Sequence, residues 1–93
     1  MVKAIWNGVV VAESDKFETL EGNVYFPEEC LKKQYFNKSD HNSVCFWKGV
    51  AYYYTLSVNG EENKNAAWYY PTPSEAAKKI KNHVAFWKGV QIE

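Results

Sequence analysis

The chain has 93 residues, 46% hydrophobic and 17% aromatic, with eleven acidic side chains balanced by eleven basic ones. That length suits one domain, residues 1–93, with a core of its own, and that composition excludes a disordered tail. Zero net charge supplies no field for nucleic acid or an anionic membrane, and because every basic residue is Lys, no site here uses a bidentate guanidinium fork.

The longest aliphatic run, Val9-Val10-Val11-Ala12, is far too short to span a membrane, and the first residues lack the apolar stretch of a signal peptide. Two cysteines are too few for a secreted disulfide scaffold, so a cytoplasmic location is expected.

In chain order, Ala4-Ile5-Trp6, Asn7-Gly8 and Val9-Val10-Val11 predict a hairpin closed by a type I′ turn. Phe17–Glu21 and Val24–Phe26 read as a second strand pair around Gly22-Asn23. Pro27–Cys30 reads as one short helical turn with Pro at its start. Gln34-Tyr35-Phe36 is a further strand candidate, and Asn37–Ser43 is polar and reads as an exposed turn region. A long strand is expected over Val50–Val58, ending at Asn59-Gly60, with Ala66–Tyr70 as its partner and Glu61–Asn65 as loop. Thr72-Pro73-Ser74-Glu75 has the form of a capping box, which predicts an α-helix over about 73–82. Ala76, Ala77 and Ile80 form its narrow apolar stripe, and Asn82 is its left-handed stop. Val84–Phe86, a turn at Lys88-Gly89 and Val90–Ile92 complete the chain. The fold class is mainly β: antiparallel strands in a two-sheet tent or partly open barrel, with one helix in the C-terminal half.

Aromatic residues cluster at Phe46-Trp47, Tyr52-Tyr53-Tyr54, Trp68-Tyr69-Tyr70 and Phe86-Trp87. The segment Val44-Cys45-Phe46-Trp47-Lys48-Gly49-Val50 is echoed by Val84-Ala85-Phe86-Trp87-Lys88-Gly89-Val90, but the intervening segments differ, which excludes a solenoid. Each copy reads as a strand ending in a Gly turn with Trp beside it. If Asn59-Gly60 closes a two-residue turn, Ala51 faces Trp68 and Tyr53 faces Ala66. Tyr53, Trp68 and Tyr70 then share one sheet face, while Tyr52, Tyr54, Leu56 and Tyr69 share the other, more aliphatic face. The second set is the expected core and the first the expected wall of a half-open pocket. A bulge within Glu61-Glu62-Asn63 would break this parity.

The ordered combination of motifs resembles a small bacterial family called domain of unknown function 427. The resemblance is carried by Trp6-Asn7-Gly8, Glu21-Gly22-Asn23, Tyr25-Phe26-Pro27, and Val44 through Gly49 with Ala51-Tyr52-Tyr53. It continues through Ala66–Pro71 with Pro73 and closes with Val84-Ala85-Phe86. Phe46 departs from the expected Pro before the Trp. The resemblance covers nearly the whole chain. It implies a compact β domain of the tent-like kind shared with methionine-R-sulfoxide reductases and the ligand-binding domain of cereblon, and it implies no established activity.

Among chemical groups, Cys45 follows His41 by four residues, a spacing open to thiolate–imidazole chemistry. Its neighbours Val44 and Phe46 favour a structural role, since free Cys packs as a small hydrophobe. Cys30, His41, Cys45 and His83 lack the paired short spacings of a zinc site, so no metal is expected. Lys48 can pair with Glu21 or hold an anionic ligand, although a stem lying over Trp47 is the commoner arrangement. Glu21 beside Gly22 is read first as a turn cap. Phosphate loops and Ser-His-Asp patterns are missing, and no cofactor is expected. The reading favoured is a non-catalytic binding module. Its cleft is walled by Trp47, Tyr53, Trp68 and Tyr70, oriented by His41, Lys48 and Glu21, and open to a small flat or cationic molecule or a modified side chain. The expected partner is such a small molecule or a protein ligand, with the chain a monomer or weak dimer. A thiol-dependent enzyme using Cys45 with His41, or an interaction surface without a pocket, are the alternatives.

Overall fold

The computed structural model describes residues 1–93. Strand β1 (Val2–Trp6) pairs antiparallel with β2 (Val9–Ser14) through Asn7 and Gly8, both at positive φ (52° and 76°), as a type I′ turn requires. Strand β9 (Gln91–Ile92) pairs with the other edge of β1, giving a three-stranded sheet in the order β2-β1-β9. The remaining strands form a six-stranded sheet. They are β3 (Glu18–Leu20), β4 (Asn23–Pro27), β5 (Phe36–Cys45), β6 (Gly49–Val58), β7 (Glu61–Tyr69) and β8 (His83–Phe86), and their spatial order is β3-β4-β8-β7-β6-β5. Every pairing is antiparallel, and neither sheet closes on itself.

Side-chain alternation divides the large sheet between two cores. Phe26, Leu56, Val58, Val84 and Phe86 point to the small sheet and pack with its Ala4, Val11 and Ala12. Tyr25, Ala51, Tyr70 and Ala85 point the other way and pack with Ala77 and Ile80. Only a short segment covers this second face, which leaves part of it as an open aromatic floor.

That segment is not the expected α-helix. Residues Glu75–Ile80 form 3-10 turns broken by non-helical torsions at Ala77. Its buried residues, Ala77 and Ile80, are three apart, which suits three residues per turn, whereas Ala76 is exposed and leaves no stripe for an α-helix. Thr72 is exposed and caps nothing; the residue at the N-terminal boundary is Ser74, whose side chain makes no capping bond. The segment is held instead by the Ser74 N–H donating to the Lys48 carbonyl (2.9 Å). Asn82 does adopt the left-handed conformation (φ 62°).

Other boundaries also move. Asn37–Ser43 is strand, because β5 is the edge of its sheet and an edge tolerates polar residues. Glu61–Asn65 is strand as well, its ladder with β6 starting directly at Val58–Glu61. Lys33–Tyr35 is a 3-10 turn rather than strand. Glu28–Cys30, after Pro27, is the short helical turn expected there, of 3-10 type. The β3–β4 turn is Glu21-Gly22 and not Gly22-Asn23, with φ of 53° and 78°.

Strand β6 is flanked by two wide bulges. Ser39-Asp40-His41 of β5 oppose Tyr53 alone, and Lys64-Asn65-Ala66 of β7 oppose Thr55 alone. The Ser39 hydroxyl donates to Asn65 Oδ1 (2.5 Å) and the Asn65 N–H to Thr55 Oγ1 (3.3 Å), so side chains tie the bulges together. Each bulge adds two residues, an even shift that keeps facing parity. Tyr53 therefore lies opposite Trp68 rather than Ala66, and the expected division of faces survives, except that Tyr52, expected in the core with Tyr54, Leu56 and Tyr69, is exposed near the end of the hairpin.

Candidate functional site

On the open face, Tyr53 and Trp68 are a cross-strand pair on β6 and β7, and Tyr70 follows on the same face. Trp87, just past β8, meets Trp68 edge to face at 5.9 Å, and Trp68 meets Tyr25 in the same way at 6.3 Å. With Lys48 from the β5–β6 connection these rings enclose a cavity of about 140 Å³, lined by Lys48, Tyr53, Trp68, Tyr70 and Trp87.

Lys48 is the unusual member, a lysine only 8% exposed. Its ammonium lies 5.4 Å from the Trp47 ring centre and 5.6 Å from that of Tyr70, and it forms an ion pair with Glu21. Burial alone would lower its pKa, but the Glu21 hydrogen bond, helped by Tyr70, Tyr25 and Cys45, more than offsets this and raises it above the ordinary value. The same hydrogen bond holds Glu21 below the usual carboxylate range, against a smaller opposing effect of desolvation. Burial raises the phenols of Tyr25 and Tyr70, so both stay protonated at neutral pH. At that pH the site carries one ammonium, one carboxylate and the neutral phenols of Tyr25 and Tyr70.

Most polar groups of the rings are occupied. The Trp68 indole N–H donates to the Tyr25 hydroxyl (3.2 Å), and the Trp87 indole N–H to the Asn65 carbonyl (2.6 Å). The Tyr53 and Ser43 hydroxyls bond each other at 2.9 Å. The Lys48 ammonium has three protons and one partner, Glu21.

The residues expected at a site fall into three groups. Lys48, Tyr53, Trp68 and Tyr70 converge on the cavity. Trp47, Glu21 and His41 stand behind or beside it: Trp47 packs half-buried under Lys48, Glu21 anchors the ammonium from the β3–β4 turn, and exposed His41 lies 4.6 Å from the Tyr53 ring. Cys45 packs half-buried against the same core, and no hydrogen bond joins it to His41. No three His, Cys, Asp or Glu side chains come together as metal ligands.

Trp87 was legible only through the repeated Phe-Trp-Lys-Gly segment, whose second copy reads as an ordinary turn. In both copies the Lys ammonium lies over its own Trp, at 5.4 Å for Lys48 and 5.3 Å for Lys88. A larger groove of about 650 Å³ runs past Lys16, Glu18, Glu29 and His83. It mixes both charge signs with little apolar wall, the character of a solvated surface, and the smaller aromatic cavity is the better candidate.

No curated protein matches the chain. Its full length, residues 1–93, matches the model of one family, the domain of unknown function DUF427, and to that family the chain belongs.

Proposed function

We propose that this protein is a non-catalytic binding module whose aromatic cleft receives a small molecule or a modified side chain. The observation that carries this reading is the convergence of Tyr53, Trp68, Tyr70 and Trp87 around the buried ammonium of Lys48. Large rings facing an open cavity leave apolar area in water that a packed core would have removed, and a flat ligand recovers it. A cytosolic setting suits this reading, because both cysteines are free.

The test separates stability from binding. Trp87 is 47% exposed, so Trp87→Ala should cost about 1 kcal/mol, well below the value for a buried Trp. Indole fluorescence titrations with single-ring compounds of each charge type should show saturable binding of at least one of them to the wild type and of none to the variant. Equal binding by the two proteins would overturn the reading.

A specific observation also favours a contact surface as a second reading. Val44, Phe46, Val50 and Tyr52 are exposed around the β5–β6 hairpin, Phe46 almost completely at 98%. Phe46→Ser should leave titrations of the cleft unchanged while abolishing any partner contact made by this hairpin.

A further inference from the structure

Aromatic cages usually attract cations, because ring faces carry negative electrostatic potential. Here that role is already filled from within. The Lys48 ammonium lies over Trp47 and Tyr70, is nearly buried, and lines the cavity. A cationic ligand would enter against a charge that cannot withdraw, whereas a ligand bearing an anionic oxygen would meet a donor with unused protons.

Glu21 now holds that donor, and the two partners are unequally fixed. The Lys48 side chain is 10% exposed and the Glu21 side chain 45%. The Lys48 backbone carbonyl accepts the Ser74 N–H, while Glu21 stands on a two-residue turn at the margin of the cleft. The carboxylate can pass into water at little cost and the ammonium cannot. Replacing one carboxylate by another on Lys48 also leaves the charge of the site unchanged, so no extra unpaired charge is buried. The remaining walls are rings, and the cavity of about 140 Å³ has room for one ring.

Building on the binding-module reading, we infer that the cleft selects a small planar carboxylate, whose acid group takes the place of Glu21 on Lys48 while its ring lies among Tyr53, Trp68 and Trp87. Glu21 is then a built-in competitor, holding the lysine charged and oriented until the ligand arrives.

The experiment uses three probes of one shape: benzoate, benzamide and benzyltrimethylammonium, titrated against the full chain and followed by the indole N–H resonances of Trp68 and Trp87. Benzoate should bind more tightly than the other two. Glu21→Gln removes the competitor and should tighten benzoate roughly tenfold while leaving benzamide within about twofold. Lys48→Met should lose benzoate and keep benzamide; if that variant does not fold, the Glu21→Gln comparison decides. Benzoate that fails to bind while either other probe binds, or an affinity that Glu21→Gln leaves unchanged or weakens, overturns the carboxylate assignment and leaves the binding module standing. Failure of all three probes overturns both.

Discussion

Lys48 shows how one side chain can set the character of a site. A second cation brought to about 5 Å from its ammonium would meet a repulsion of about 3 kcal/mol from that charge alone at an effective dielectric of ~20, which the Glu21 carboxylate offsets in part. Glu21 keeps that ammonium paired, and its own depressed pKa makes the pairing visible in acid. The folded value lies below the ordinary 4.5, so the pair's contribution is fully present above 4.5 and is lost as pH falls through the folded value. Urea midpoints measured from about pH 6 down to about pH 3 should therefore fall more steeply for the wild type than for Glu21→Gln; parallel curves would show that the pair adds nothing to stability. Cys45 gives a second expectation at this scale. It packs against the second core with no hydrogen bond to His41. In a Cys30→Ser background its alkylation by iodoacetamide should be roughly tenfold or more slower in the folded protein than in urea, and His41→Ala should not change the rate. Fast alkylation that depends on His41 would promote the thiol-enzyme alternative.

At the scale of elements, the connection from β5 to β6 is where the second face is locked together. Gly49 has φ of 120°, and a Cβ there would lie 3.2 Å from the Thr72 carbonyl oxygen. Gly49→Ala should therefore cost about 2 kcal/mol or more, through backbone strain together with displacement of the 72–74 segment. Thr72→Ala should change stability by less than about 0.5 kcal/mol, since the side chain is exposed and caps nothing. Urea melts of the two variants check both, and a large loss at Thr72 would restore the capping helix. This segment also shows where sequence reasoning reaches its limit. Thr-Pro-Ser-Glu has the composition of a helix start, yet only two buried residues follow, and tertiary contact selects 3-10 turns. The first hairpin was legible because Asn7-Gly8 demands a particular turn and alternation supplies the rest. Residues Asn37–Ser43 were not, because a polar edge strand and a polar loop have the same composition. The two-residue bulges beside β6 left no local trace, but their even shift let the face assignment of Tyr53, Trp68 and Tyr70 survive.

For the whole molecule, two layers of unequal width explain both the stability and the opening. The small sheet covers one face of the large sheet, and the short 75–80 segment covers only part of the other. Burial raises the pKa values of Tyr25, Tyr54, Tyr69 and Tyr70, on both faces, above the ordinary 10.0. A raised folded value contributes stability that is complete below the unfolded value and lost as pH rises through the folded one, and Lys48 acts in the same direction. Stability should hold up to about pH 10 and drop beyond, with the ring resonances of Tyr25, Tyr54, Tyr69 and Tyr70 showing ionisation only together with loss of structure. Ionisation of Tyr25, Tyr54, Tyr69 and Tyr70 in a chain that stays folded would contradict this.

Whether the uncovered face is a ligand site can be read from the four indole N–H resonances in the presence of single-ring compounds. Trp68 and Trp87 border the cavity, while Trp6 packs on the other core. Saturable shifts are expected at Trp68 and Trp87 with Trp6 unmoved. Shifts spread over all the indoles, or none at Trp68 and Trp87 for any compound, would contradict it.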